Sequence, residues 1–281
     1  MRSKRISSKG TAFIVVIFAL LGLASSVLTS CAHQNEKKLN ASSQFVTCIY
    51  DKEDGTVESI PPGGGTRWVE DDAEIWRVPT GGRFWNVDTD ETVRDPGAPA
   101  GVLGLDSGYK EVVMNAHAEF YVNQANACDL NTRHIKRNVQ ADQYGQDDTE
   151  SFQKAGYNVR GDSSQPWFVF LNEKVSAAMV KQGKPLLGRY SWEYYNLEFP
   201  VNADTNGKLE CGDVSESCQP GDRAIDALAP DYGKLVTQQL NKQIGKDYFC
   251  GPGYDPEIPD VCPPIFIEIT GISLVNKKPL Q

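Results

Sequence analysis

The chain is expected to be an α+β protein: a mixed sheet with packed helices, forming a single domain behind a cleaved signal and a tether. Three observations carry this expectation. First, residues 110–123 (KEVVMNAHAEFYVN) alternate, with Val112, Met114, Ala116, Ala118, Phe120 and Val122 apolar and most of the intervening residues polar. Successive strand residues point to opposite faces, so this is one long half-buried strand, taken as the centre of the sheet. Second, apolar residues recur at spacings of three and four after Pro166 and again after Pro230, as on two amphipathic helices. Third, short runs rich in aromatic and β-branched residues open and close the chain and read as strands.

The first thirty residues stand outside the fold. Arg2, Lys4, Arg5 and Lys9 precede an uncharged apolar run from Thr11 to Leu28, and Leu28-Thr29-Ser30-Cys31 follows, the layout of an export signal. Those last four residues resemble a bacterial lipobox, which makes Cys31 the expected lipidation site and the first residue of the mature chain. The alternative is that the apolar run stays as a single membrane anchor, since its length suffices to span. Either way the remainder is expected outside the cytoplasm, tethered to a cell membrane. Removing residues 1–30 takes away four basic residues and no acidic ones, moving the formal charge from −9 to −13. So acidic a surface repels nucleic acid, which is excluded as a partner.

Seven cysteines are present. With Cys31 assigned to lipid, Cys48, Cys128, Cys211, Cys218, Cys250 and Cys262 form an even set, expected to be structural disulfides in an exported chain. Short loops favour Cys211 with Cys218 and Cys250 with Cys262, which leaves Cys48 with Cys128, although six cysteines allow 15 connectivities. No CxxC pair points to redox catalysis or zinc.

From the N-terminus, residues 31–44 are polar, without aromatics or period, and read as a lipidated end and flexible tether. Phe45 to Tyr50 reads as the first strand, and Pro61 to Gly65 as a loop; no Lys-Ser/Thr follows the glycines to make a phosphate cradle. Glu74–Pro79 and Arg83–Val87 read as adjacent strands about a Thr80-Gly81-Gly82 turn. Thr89 to Gly104 reads as a surface loop, and residues 105–108 as a turn into the long strand. After it, a connection with one short helix near residues 130–139 is expected. Arg160-Gly161-Asp162 spells an adhesion tripeptide, too short a match to carry weight.

The helix opened by Pro166 carries Phe168, Leu171, Val175, Ala178 and Met179 on one face and is expected to stop at Gly183 and Pro185. Ser191-Trp192-Glu193 opens a shorter helix. Pro230 to Ile244 is a second long helix, ended by Gly245. Ile265–Ile269 and Ile272–Val275 read as a terminal strand broken at Gly271.

Catalytic patterns are not found. His33, His117 and His134 are scattered, with no HExxH and no GxSxG, so no enzyme is expected. His117 lies on the polar face of the long strand and is expected either to pair with Glu119 or to face solvent or another subunit. One metal candidate stands out. Asn202, Asp204 and Asn206 at positions one, three and five, Gly207 at six, Leu209 at eight and Asp213 at twelve approximate a calcium loop. Asn at position one and Asp at position twelve depart from that pattern, and such residues also build ordinary turns. Calcium is the sole cofactor considered.

The residues LDSGYKEVVMNAHAEFYVN (105–123) and IFIEITGISLVNKKP (265–279) together resemble the SPFH or band 7 superfamily of stomatin, prohibitin and flotillin. RWVEDDAEIWRVPTGGRFWNVD (67–88) resembles the opening strands of that family's exported bacterial branch, and YFCGPGYDPEIPDVCPP (248–264) its cysteine-bracketed insertion. The resemblance covers residues 45–281. It implies an SPFH-like domain acting as a non-enzymatic scaffold at a membrane, through self-association or by organising a membrane protein partner. Family members continue into a coiled-coil helix that drives ring assembly, whereas this chain stops at Gln281, so assembly by that route is not expected. The alternative function is a surface lipoprotein that binds a ligand or host molecule.

Overall fold

A computed structural model of the chain describes residues 36–41, 43–51, 55–135, 166–196, 224–258 and 260–275. It begins in strand β1 (Glu36–Asn40), where a tether is expected. β2 (Phe45–Tyr50), β3 (Val57–Ile60), β4 (Thr66–Glu70), β5 (Glu74–Pro79), β6 (Arg83–Val87), β7 (Val102–Leu105) and β8 (Glu111–Val122) follow. Helix α1 (Ala127–Leu130) runs into a π-turn at Asn131–Ile135. α2 (Pro166–Leu171) and α3 (Ala177–Leu187) flank a second π-turn, Asn172–Ser176. Short α4 (Trp192–Tyr195), long α5 (Ala224–Ile244), β9 (Phe249–Cys250) and β10 (Phe266–Leu274) complete the chain.

The fold is α+β, but every described strand pairing is antiparallel, so the sheets are not mixed. The strands up to β8 follow one another without an intervening helix, and the helices all lie between β8 and β9, which nevertheless pair antiparallel. β8 organises the larger sheet. One of its edges is met by β6 opposite residues 116–120 and by β7 opposite residues 111–114. β10 pairs with residues 112–119, and β9 meets Tyr121 and Val122 just beyond.

Residues 88–101 and 251–265 are therefore excursions between collinear strand pieces. The first corrects the reading of residues 89–104 as loop throughout, since Val102–Leu105 is a strand. β10 is one strand whose register shifts between Ile269 and Gly271, a bulge at the expected break.

The even positions of β8, from Val112 to Val122, are at most 1% exposed. Their face packs on α2, α3 and α5. Phe168, Leu171, Val175, Ala178 and Met179 are buried as the helical spacing requires. Gly183 does not stop α3. A Cβ there would meet Met114, Tyr232 and Val102 at 2.8–3.0 Å, so the glycine lets the helix close on the sheet, and the helix continues through Pro185 to Leu187. The Tyr195 hydroxyl donates to the Leu186 carbonyl at 2.5 Å, satisfying the end of α3, and burial raises this phenol to about 12. α5 begins ahead of Pro230 and ends at Gly245, whose φ of +85° suits a glycine cap.

β5 and β6 have their expected spans but lie in different sheets. β5 joins the three-stranded sheet β3-β2-β5, whereas β6 joins β8. Leu39, Ile49, Ile60, Val69, Ala73 and Ile75 make a second, smaller core. Leu39, 3% exposed, explains why residues 36–40 are ordered as a strand against β4 despite their polar composition.

Two of the three expected disulfides fall among the described residues: Cys48–Cys128, with Cα atoms 5.5 Å apart, and Cys250–Cys262, at 4.9 Å. Such bridges belong to an oxidising, extracytoplasmic compartment. Cys31, Cys211 and Cys218 lie outside the described residues, as do His33, the Arg160-Gly161-Asp162 tripeptide and the calcium candidates Asn202, Asp204, Asn206 and Asp213. Among the described residues no helix is long and apolar enough to cross a membrane.

The Cys48–Cys128 bridge ties the small sheet to α1. Beside it, Asn131 Nδ2 donates to the Tyr50 hydroxyl at 3.1 Å. Next in the chain, Asp129 receives Lys246 Nζ at 2.9 Å, the Tyr248 hydroxyl at 2.5 Å and Arg133 Nε at 2.5 Å. Burial acts to raise the Asp129 pKa, and these three donors outweigh it, holding the carboxyl at about 2. A depressed folded pKa contributes stability above the ordinary carboxylate range that is lost as pH falls through the folded value. We expect Asp129→Asn to cost roughly 2 kcal/mol near neutrality. Urea unfolding at stepped pH should show that cost shrinking between about pH 4 and pH 2; a constant difference would exclude the ion cluster as its source.

Candidate interaction face

The odd positions of β8 form the other side of the large sheet. Cross-strand register builds this side in rows. Glu119 lies between Phe84 of β6 and Phe266 of β10, and His117 between Asn86 and Glu268. Val113 lies between Leu103 of β7 and Ser273. The result is open: Phe84 is 62% exposed, Phe266 48%, Leu103 54% and Leu105 49%. Apolar side chains occupy both ends of the face and polar ones its middle.

The excursion 88–101 pins the polar middle. His117 Nε2 meets Asp88 Oδ2 at 3.0 Å, and the other Asp88 oxygen accepts from the Asp90 amide at 2.8 Å. Asn115 Nδ2 donates to Thr89 Oγ1 at 3.0 Å, and its Oδ1 accepts the Thr89 amide at 3.1 Å. Asn86 gives its amide to Asp95 at 2.7 Å and its side-chain nitrogen to the Val93 carbonyl at 3.2 Å. Asp88, Asp95 and Asn86 are buried, each with these bonds in place. The Asp90 carboxyl is held below its ordinary range by hydrogen bonds from the Thr92 hydroxyl and amide.

At the hairpin end, Asp106 is buried and accepts the amides of Gly108 at 2.9 Å, Lys110 at 2.7 Å and Trp192 at 2.8 Å. Burial would raise its pKa, and the three amides overcome that and lower it. This brace fixes the β7–β8 turn to α4, whose first turn Ser191 caps by accepting from the Tyr194 amide. Tyr109 stands at the tip, 86% exposed and at φ 62°, a left-handed conformation uncommon for a tyrosine.

The expected partner of His117 is corrected here. Glu119 stands two rises along the strand, whereas Asp88 leaves β6 directly beside His117 and takes the imidazole. His134 takes no part in the face. It packs against the rings of Phe170 and Tyr248, with centroids 5.6 and 5.3 Å away, and burial lowers its pKa. Phe84, Asn86, Asp88 and Phe266 were not singled out from sequence. Their signal was the alternation within RFWNVD and FIEI, which fixes a face only once strand partners are known.

Chemically, the face offers apolar anchors, fixed hydrogen-bonding groups and three acids, Glu111, Glu119 and Glu268. Among the described residues no group of three or more His, Cys, Asp or Glu side chains is placed to hold a metal ion. No protein-family model matches the chain, and no curated protein matches it significantly.

Proposed function

We propose that the chain is a lipid-anchored, extracytoplasmic SPFH-like interaction module that organises a protein partner at a membrane surface through the open face of its central sheet. The observation that carries this reading is the row Phe84–Glu119–Phe266, two large exposed rings flanking a carboxylate on a rigid strand. Exposed aromatic residues in a contiguous, polar-rimmed patch mark protein-binding surfaces.

The acids on this face and the formal charge of −9 favour a partner that presents cations beside apolar groups, and disfavour a second copy stacked on the same face. The oxidised cysteine pairs fit the extracytoplasmic placement. The SPFH assignment rests on the motifs at 105–123 and 265–279, and those motifs include β8 and β10, two of the strands that build the face. Cys31 supplies the tether in this reading.

The test is mild detergent extraction of the full chain, with intact mass and light scattering on the product. We expect a diacylglyceryl increment on Cys31 and a discrete complex heavier than the protomer. Phe84→Asp with Phe266→Asp should release the protomer while leaving its unfolding midpoint nearly unchanged, because both side chains are exposed. A wild-type protomer that runs alone would sink the reading.

A further inference from the structure

On the helical side of the molecule, α3 and the excursion before β7 enclose an open groove of about 580 Å³, within the range of small-ligand sites. Pro99 forms one wall, and Asn172, Ser176, Val180, Lys181 and Lys184 form the other. None of these residues belongs to the open sheet face. The helical wall is unusual because Asn172–Ser176 is a π-turn, a widened turn that recurs at functional sites. It brings Asn172 and Ser176 to the same groove, and Ser176 Oγ is held from behind by Trp85 Nε1 at 2.7 Å.

Charge sets this groove apart from the rest of an acidic chain. Lys181 and Lys184 both line it and form no ion pair among the described residues. Both are exposed, one turn apart on α3, above an apolar strip that includes Val180 and Pro99.

We infer that this groove binds an aliphatic carboxylate. The hydrocarbon chain lies along Val180 and Pro99, covering one side of it from water, and the carboxylate sits between the two ammonium groups. A lysine pair suits a monoanion held by point charges. Point charges alone would also hold phosphate, so the preference for a carboxylate with a hydrocarbon chain comes from the apolar wall of Val180 and Pro99. A cationic amphiphile is excluded by the same two charges, and a purely polar anion gains nothing from the apolar wall.

Octanoate is a sufficient probe. The full chain in lipid nanodiscs is titrated calorimetrically, with empty nanodiscs subtracted. Saturable binding is expected, weakened at least tenfold by Lys181→Glu with Lys184→Glu and retained by Lys181→Arg with Lys184→Arg. Octyltrimethylammonium should not bind saturably. Because the lysines are exposed, the unfolding midpoint of each variant should match the wild type, separating lost binding from lost fold. Absence of saturable binding, or binding indifferent to charge reversal, overturns the inference. Equal competition by inorganic phosphate also overturns it, by identifying a general anion site. The outcome is independent of the sheet face, whose failure as a docking surface would leave this titration unchanged.

Discussion

Replacing Cys48 and Cys128 together by alanine is expected to cost about 4 kcal/mol of stability, the loop-entropy value for a bridge of this span. The two cysteines are 80 residues apart in sequence, against 12 for Cys250 and Cys262, so the longer bridge constrains far more of the unfolded chain. The loss should also be uneven. β2 carries Cys48 and belongs to the sheet β3-β2-β5, which shares a smaller core with β1 and β4 and turns its other side, including Cys48, to the main core. β8 is buried against three helices. Hydrogen exchange should therefore show the amides of residues 46–50 losing protection at lower denaturant than those of residues 112–120. A uniform loss across both sheets, or a cost under about 1 kcal/mol, would mean that the bridge does not hold the small sheet to the large one.

Trp85→Ala is the second large effect, expected at about 3–5 kcal/mol. Trp85 is fully buried, packs on Phe168 with ring centroids 6.1 Å apart, and donates to Ser176 Oγ across the interface between β6 and the helical layer. Truncation leaves both a cavity and a buried hydroxyl without its donor. Trp85→Phe should recover much of the packing but not the hydrogen bond, and is expected to cost less than half as much. Denaturant unfolding of both variants checks this. Equal losses would make the hydrogen bond dominant, and a negligible loss from alanine would contradict the packing of α2 and the π-turn on the sheet.

These effects follow from features that were legible to different degrees before the fold was known. β8 could be read directly because it buries one face and exposes the other, and strand alternation records that contrast residue by residue. α2, α3 and α5 were legible for the same reason at helical period, although Gly183 and Pro230 misled. A glycine inside a helix reads as a stop unless one knows that Met114 and Tyr232 press against it. β1 was illegible because a five-residue edge strand with one buried side chain, Leu39, has no periodicity to detect.

The candidate face was legible only by half. Its central row came from β8, but Phe84, Asp88 and Phe266 reach it through pairings between distant segments, and local pattern does not specify which strands meet. The same limit explains the His117 partner, since Asp88 is 29 residues away in sequence. The groove beside α3 combines a loop proline with a π-turn, neither of which carries a sequence signature.

The central claim is that Phe84 and its row contact a protein partner at the membrane. It is tested most directly by placing a benzophenone amino acid at Phe84 in the full chain and irradiating intact cells. A control probe goes at Thr66, exposed on β4, away from the open face. One discrete protein adduct is expected from position 84 and none from position 66, and its yield should fall when Glu119 and Glu268 are both changed to lysine, which removes the charge complementarity. Adducts of equal yield from both positions, or adducts confined to lipid, would contradict the account.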